Sequence, residues 1–231
     1  EKGELGNIRV IQVEYPQDWL SKENKTKQAL WRTNPIESGP GGCIGDIGTH
    51  AFNIVSFISN LELDSISADL DTFVNNRKLD DNANVLLRFK GGAKGMLWSS
   101  QISPGNENAL KIRIFGENGS ISWSQEDPNY LWHAKLGKPK QLITRNGYGF
   151  DKSLSKLCRI PPGHPEGYLE SFANLYLEFA SALKEFKKNP NKKIKVNFPT
   201  IEDGLNGMEF IRSCIESSEN NSQWVKLKSY L

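Results

Sequence analysis

Long apolar runs are absent from this 231-residue sequence. None approaches the ~18 consecutive apolar residues that a membrane span needs, so no membrane association is expected. An excess of one charge sign is absent too: 29 basic residues face 27 acidic ones, interspersed along the chain, for a net charge of +2. That leaves no electrostatic footprint for nucleic acid. Cysteine is scarce. Cys43, Cys158 and Cys214 lie far apart and in no paired spacing, which excludes a disulfide framework and the closely spaced ligands of a zinc site. Such thiols fit reduced cysteines in a cytoplasmic protein, each a small buried hydrophobe.

The motifs that grip nucleotides or arm a nucleophile are missing as well. No Gly-x-Gly-x-x-Gly joins a strand to a helix; the glycines at 39, 41, 42, 45 and 48 have another spacing and follow a loop. There is no Walker-type phosphate loop and no Gly-x-Ser-x-Gly elbow. The first residue is Glu1, a strand-like stretch begins by Ile8, and no charged-then-apolar leader precedes it. This reads as part of a longer protein, starting at a domain boundary.

What is present is ordinary globular composition, 37% apolar and 24% charged. Residues 8–15 are rich in β-branched side chains and read as a strand. Residues 16–27 are polar and broken. Residues 31–42 hold Pro35, Pro40, Gly39, Gly41 and Gly42, a density that argues against any regular element. From Asp46 onward, Ile47, Ala51, Ile54, Val55 and Ile58 recur at helical spacing, and Asn60 is a stop signal. Strand-like runs follow at 65–74, 83–89, 93–101, 110–115 and 120–123, with one or two weaker ones in 131–144. They are separated by turn residues such as Asn75-Asn76, Asp80-Asp81-Asn82, Gly91-Gly92 and Glu117-Asn118-Gly119. Residues 146–163 read as a long loop. Pro165 is expected to open a helix whose apolar stripe runs through Tyr168, Phe172, Leu175, Tyr176, Phe179, Ala180 and Leu183. Thr200 with Asp203 resembles a capping box opening a last helix, and residues 223–227 suit a final strand. The expected fold class is α+β: an open, mostly antiparallel sheet with helices packed on one face.

Asp46 and His50 carry the chemistry. Four apart at a helix start, they share one face about a turn from each other. Gly41, Gly42, Gly45 and Gly48 surround them; glycine admits close approach of a ligand or another domain and tolerates positive φ. A histidine beside a carboxylate makes a general base near neutral pH, which alcohol oxidation needs as hydride leaves the same carbon. A helix cap and a surface ion pair are the plainer reading of the same spacing.

The stretch Gly41-Gly42-Cys43-Ile44-Gly45-Asp46-Ile47-Gly48-Thr49-His50 resembles the Gly-Gly-Gly-x-x-x-Asp-x-Gly-x-His signature of the glucose-fructose oxidoreductase, inositol dehydrogenase and rhizopine catabolism (Gfo/Idh/MocA) family, with Cys43 in place of the third glycine. Trp31-Arg32-Thr33-Asn34-Pro35 is similar to the family's Trp-Arg-x-Asp-Pro lead-in, with Asn34 for Asp. Gly3-Glu4-Leu5-Gly6-Asn7-Ile8 and Phe115-Gly116-Glu117-Asn118-Gly119 resemble the start and a sheet turn of the family's second domain.

The resemblance implies that residues 1–231 form the substrate-binding and oligomerisation domain, of the dihydrodipicolinate-reductase-like C-terminal type. An N-terminal Rossmann domain holding NAD or NADP would lie outside this chain, which is expected to bind no cofactor tightly and to be inactive alone. The family's Glu-Lys-Pro lysine belongs to that other domain, and no Glu-Lys-Pro occurs here. The implied activity is NAD(P)-dependent oxidation of a sugar or polyol, with His50 as acid/base and Asp46 as its partner or a substrate ligand. A homodimer or homotetramer through the open sheet face is implied as well.

His164 before the Pro165 helix, Arg32, Tyr168 and Trp31 are the candidate substrate-binding residues. Each also has a structural reading: loop histidine, surface arginine, core aromatics. Trp98, like Trp31, could stack on a sugar ring or belong to the core, and His133 reads as structural. A non-catalytic assembly module is the competing function. A metal site of Asp46, His50 and His164 is a third reading, and no metal is expected.

Overall fold

Strand β1 (Ile8–Pro16) enters the middle of the sheet rather than its edge. Alternate residues Ile11, Val13 and Tyr15 are buried, while Gln12 and Glu14 between them point the other way, as the period-2 geometry of a strand requires. The computed structural model describes residues 3–228; residues 1, 2 and 229–231 of the expected 1–231 domain lie outside the described residues. After two short helices comes α3 (Thr49–Ser59), then β2 (Leu63–Asp71), β3 (Asn82–Phe89), β4 (Lys94–Ser100), β5 (Lys111–Gly116), β6 (Gly119–Ser124), β7 (Tyr130–Lys135) and β8 (Gln141–Thr144). Helices α4 (Tyr168–Lys188) and α5 (Ile201–Glu219) and the short β9 (Val225–Lys226) complete the chain.

Among the described residues these strands form one nine-stranded sheet in the order β8-β7-β6-β5-β1-β4-β3-β2-β9. Every neighbouring pair is antiparallel except β1 with β4, which is parallel. The open, mostly antiparallel sheet read from the sequence is the fold. Its buried face carries Val85, Leu87 and Phe89 of β3, Leu97 of β4 and Ile112 and Ile114 of β5. Full burial of such side chains stabilises by about 1.5–3 kcal/mol each. Helices α3 and α5 cover this face, and Phe52 of α3 stacks on Phe210 of α5 with ring centroids 4.5 Å apart.

Local signals set several helix ends. Asn60 closes α3 in the left-handed region at φ 54°, its N–H donating to the Ser56 carbonyl. The Asp203 carboxylate accepts the Thr200 N–H at 2.7 Å and so opens α5.

Other expectations need correction. Residues 31–42 are not irregular throughout: α1 (Lys27–Arg32) ends within them and α2 (Pro35–Ser38) lies inside them. Pro35 sits at the first helical position, where its missing N–H has no intrahelical partner to lose, and Asn34 caps the helix by accepting the Ile36 N–H at 3.1 Å. Asn34 thus caps as an Asp would. Pro165 does not open α4; the helix starts at Tyr168, because Glu166 is drawn inward to Arg145 and the Arg159 N–H. Residues 146–163 include a 3₁₀ segment, Lys152–Leu157, capped by Asp151. The apolar stripe of α4, expected to face the core, is not buried at any position.

Candidate active site

Because β1 and β4 run parallel in register, Tyr15 lies beside Ser99 at their shared C-terminal edge. Strands β3 and β5 run the opposite way, so the segments leading into them, with Asp80, Asp81 and Asn108, arrive at the same edge. The glycine-rich segment lies across it on the helix-covered face.

Asp80 fastens this segment. Its buried carboxylate accepts the backbone N–H groups of Gly42 and Ile44, the latter at 2.8 Å, and its carbonyl accepts the Cys43 N–H at 2.9 Å. Residues Ile44–Gly48 then form a π-helical turn that runs directly into α3. Such turns are rare and occur often at functional sites. The glycines serve close packing rather than unusual dihedrals, since none of Gly41, Gly42, Gly45 and Gly48 has a positive φ. A Cβ at Gly42 would fall 2.0 Å from the Asp80 carbonyl oxygen, and one at Gly48 would meet Ile44 Cδ1 at 2.7 Å. At Gly45 a Cβ would meet open space. Cys43 fills a buried position, its thiol donating to the Ser99 carbonyl at 3.5 Å. Burial, and then the nearby Asp80 carboxylate, push that thiol well above the usual cysteine range, which keeps it protonated. Burial also raises Asp80, against the opposing pull of the Ile44 and Gly42 N–H groups.

Asp46, in the π-turn, directs Oδ2 at two donors: Arg32 Nε at 3.0 Å and Gln101 Nε2 at 2.7 Å. Arg32 also donates through Nη1 to Gln28 Oε1 at 2.6 Å, and its guanidinium lies over the Trp31 ring at 4.2 Å and the Trp19 ring at 5.8 Å. His50 is exposed, with the edge of its ring toward Tyr15 at 6.3 Å between centroids. Among the described residues no hydrogen bond joins Asp46 to His50; the carboxylate is oriented by Arg32 and Gln101 instead. A polar chain runs from Trp19, over whose ring the Arg32 guanidinium lies, to Tyr15 beside His50. The Tyr15 hydroxyl and Gln17 Nε2 both donate to Asn108 Oδ1 at 2.7 Å, and Trp19 Nε1 donates to Gln17 Oε1 at 2.9 Å.

The structure therefore brings together Asp46, His50, Arg32, Trp31 and the four glycines. His164 and Tyr168 are both exposed, and among the described residues neither has a hydrogen bond or ring contact to Asp46, His50 or Arg32. His164 sits on a loop tied down by Arg145, which donates to the carbonyls of Ile160 at 2.8 Å and His164 at 2.7 Å and pairs with the buried Glu166. His133 is buried in β7, as a structural residue. Trp98 lies on the opposite sheet face, donating to Asn82 Oδ1 at 2.9 Å. Sequence reasoning missed Gln101, Asp80 and Asn108. The Asp-Asp pair before β3 was visible as a turn, and nothing local marked Gln101.

A separate concavity lies on the open sheet face, lined by residues including Glu14, Asn84, Leu86, Met96, Trp98 and Arg113. It does not include Asp46 or His50. Among the described residues no three His, Cys, Asp or Glu side chains cluster as metal ligands, and no helix is long and apolar enough to cross a membrane. The described residues also supply no glycine-rich strand–turn–helix for a pyrophosphate.

Residues 1–122 match the family described as the GFO/IDH/MocA C-terminal domain. An uncharacterized oxidoreductase of Bacillus subtilis (strain 168) is 32% identical over 99% of this chain and 60% of its own length. The crystal structure of an oxidoreductase from Sinorhizobium meliloti superposes with a TM-score of 0.85 at 47% identity, over 97% of this chain and 58% of that one. An inositol dehydrogenase homolog from Azotobacter vinelandii, complexed with NADH and myo-inositol, superposes with a TM-score of 0.89 at 30% identity, over 97% of this chain and 58% of that one. The chain thus spans somewhat under two thirds of the length of these relatives.

Proposed function

The chain belongs to the Gfo/Idh/MocA family, and from that premise we propose that it is the substrate half of an NAD(P)-dependent dehydrogenase acting on a sugar or polyol hydroxyl. The observation that carries the proposal is an anchored carboxylate, Asp46, one helical turn from an exposed imidazole, His50, at the edge where four strands meet. His50 takes the hydroxyl proton as acid/base. Asp46, held by Arg32 and Gln101, serves as a substrate ligand. The myo-inositol and NADH of the Azotobacter homolog support the choice of substrate class and cofactor.

The residues present fit the substrate side of this reaction and not the grip on a dinucleotide. NAD or NADP, when bound, supplies the hydride acceptor, and we assign its binding to an N-terminal Rossmann domain outside this chain. The chain alone then turns over no alcohol. In the complete site Trp31 lines the substrate, Arg32 serves its binding through Asp46, and His164 and Tyr168 complete it from the loop and helix that follow the sheet. The departures from the family signature do not argue against chemistry, because Cys43 packs and Asn34 caps without disturbing Asp46.

The open sheet face is assigned to a homodimer or homotetramer. It exposes Val10, Leu86 and Met96 alongside the Glu14–Lys111 ion pair at 3.3 Å, a mixture suited to a subunit interface. The scarce, unpaired cysteines support a cytoplasmic setting.

The test uses the complete protein, NAD or NADP and a panel of sugars and polyols. Cofactor reduction with one of them is the expected result. Tight cofactor binding with no alcohol oxidised across the panel would overturn the reading and favour a non-catalytic assembly module.

A further inference from the structure

The two donors on Asp46 lie outside the glycine-rich segment, Arg32 in the lead-in before it and Gln101 just after β4, and both are themselves held in place. Gln101 follows the last residue of β4 and is buried. Its backbone N–H donates to the Asp81 carbonyl at 2.9 Å, and its carbonyl accepts the Leu20 N–H at 3.1 Å. Asp81 is fixed in turn by the Phe73 and Val74 N–H groups, each at 3.0 Å, and by Arg77, which also donates to the Leu20 carbonyl at 2.9 Å. With its backbone clamped on both sides, the Gln101 side chain has little freedom to swing away. Arg32 is held by Gln28 and by the flanking Trp31 and Trp19 rings.

Both donors converge on one oxygen, Oδ2. A carboxylate has roughly four acceptor positions over two oxygens. Among the described residues Oδ1 accepts no hydrogen bond, and the side chain is 26% exposed. We propose that Gln101 and Arg32 are positioning residues: they pin Asp46 Oδ2 so that Oδ1 is presented, in one orientation, to a hydroxyl of the substrate. This rests on the reading of the site as a sugar or polyol dehydrogenase centre. It assigns Gln101 a role in substrate selection, although that residue touches no reacting atom, and it makes Asp46 independent of His50 for its orientation. The Arg32 cation and the neutral Gln101 amide both donate to the carboxylate and fix it while offering it no second acidic group.

In the complete protein, Gln101→Leu and Arg32→Gln each lower kcat/KM for the polyol by about 10- to 100-fold, as displaced binding groups do. Most of the loss falls in the polyol KM, and the KM for the nicotinamide cofactor stays unchanged. Arg32→Lys, which keeps the charge, recovers part of the Arg32→Gln loss. Because both residues act through Asp46, their effects vanish in an Asp46→Asn background, the non-additivity expected of coupled groups. Full, additive losses in that background overturn the proposal. A second readout needs no activity. The side-chain amide NMR signals of Gln101, assigned by their loss in Gln101→Leu, shift when Asp46 becomes Asn; signals that stay in place also overturn it. If the wild type oxidises no polyol at all, the functional reading fails on its own, and the amide signals still decide whether Gln101 holds Asp46.

Discussion

The carboxylate of Asp80 accepts the backbone N–H of Ile44 at 2.8 Å, across 36 residues of sequence, and so fixes the turn that carries Asp46. Asp80 takes the place of the side-chain cap that this helix start lacks, since no local residue caps the π-turn. Removing it by Asp80→Ala leaves the Gly42 and Ile44 N–H groups buried without acceptors. The expected loss is about 3 kcal/mol of stability, read as a lower midpoint in urea unfolding.

The same residue gives a pH signature. Burial raises the folded-state pKa of Asp80 above its unfolded value, so the folded state binds the proton more readily. The stability from this group is fully present below the unfolded value and is lost as pH rises through the folded one. Thermal melts of the wild type and Asp80→Asn, compared upward from about pH 4, will show the wild type losing ground relative to the variant as pH rises. A difference that is constant with pH contradicts this.

Two glycines of the site respond oppositely to alanine. At Gly42 a Cβ would lie 2.0 Å from the Asp80 carbonyl oxygen, so Gly42→Ala forces the segment off Asp80 and costs at least about 1–3 kcal/mol. At Gly45 there is open space, and Gly45→Ala leaves stability unchanged or raises it by up to about 1 kcal/mol through helix propensity. Parallel urea titrations of the two variants check this.

Asn108 accepts from both Tyr15 and Gln17. Asn108→Ala removes the one acceptor that the two donors share and lowers stability by about 1 kcal/mol, because the part-buried Tyr15 hydroxyl loses its partner. It also frees the Tyr15 ring against which His50 rests, so the His50 ring signals in an NMR spectrum shift. Unmoved signals contradict the linkage between Asn108 and His50.

Arg145 pairs with the buried Glu166, their side-chain exposures being 15% and 5%. Arg145→Ala leaves the buried Glu166 carboxylate with no cation and only the Arg159 N–H, and leaves several carbonyls unanswered; the expected loss is about 3–5 kcal/mol. Hydrogen exchange localises the effect: protection falls in residues 158–167, whose backbone this pair organises.

The reach of each signal decides what could be read in the sequence. Asn60 as a left-handed helix stop and Thr200 with Asp203 as a helix start were legible, since each interaction closes within four residues. The strands were legible from alternation, but the insertion of β1 between β5 and β4, parallel to β4, was not, because that pairing joins distant parts of the chain. Asp46 and His50 stood out by spacing and glycine density together with the family resemblance. The partners of Asp46 did not: Gln101 is 55 residues away and carries no local mark. The expectation that Asp46 orients His50 came from their proximity along the helix, whereas a more rigid pair of donors occupies the carboxylate. The α4 stripe shows a different limit. Periodicity identifies an apolar face but not what covers it, and in this chain that face remains exposed.

The most direct test of the account is steady-state oxidation of a turned-over polyol by the complete protein, wild type against His50→Ala, with folding verified by identical thermal melts. The account predicts a fall in kcat of about 10²- to 10⁴-fold, the usual contribution of a general acid/base, with little change in cofactor binding. Turnover by His50→Ala at the wild-type rate would contradict it.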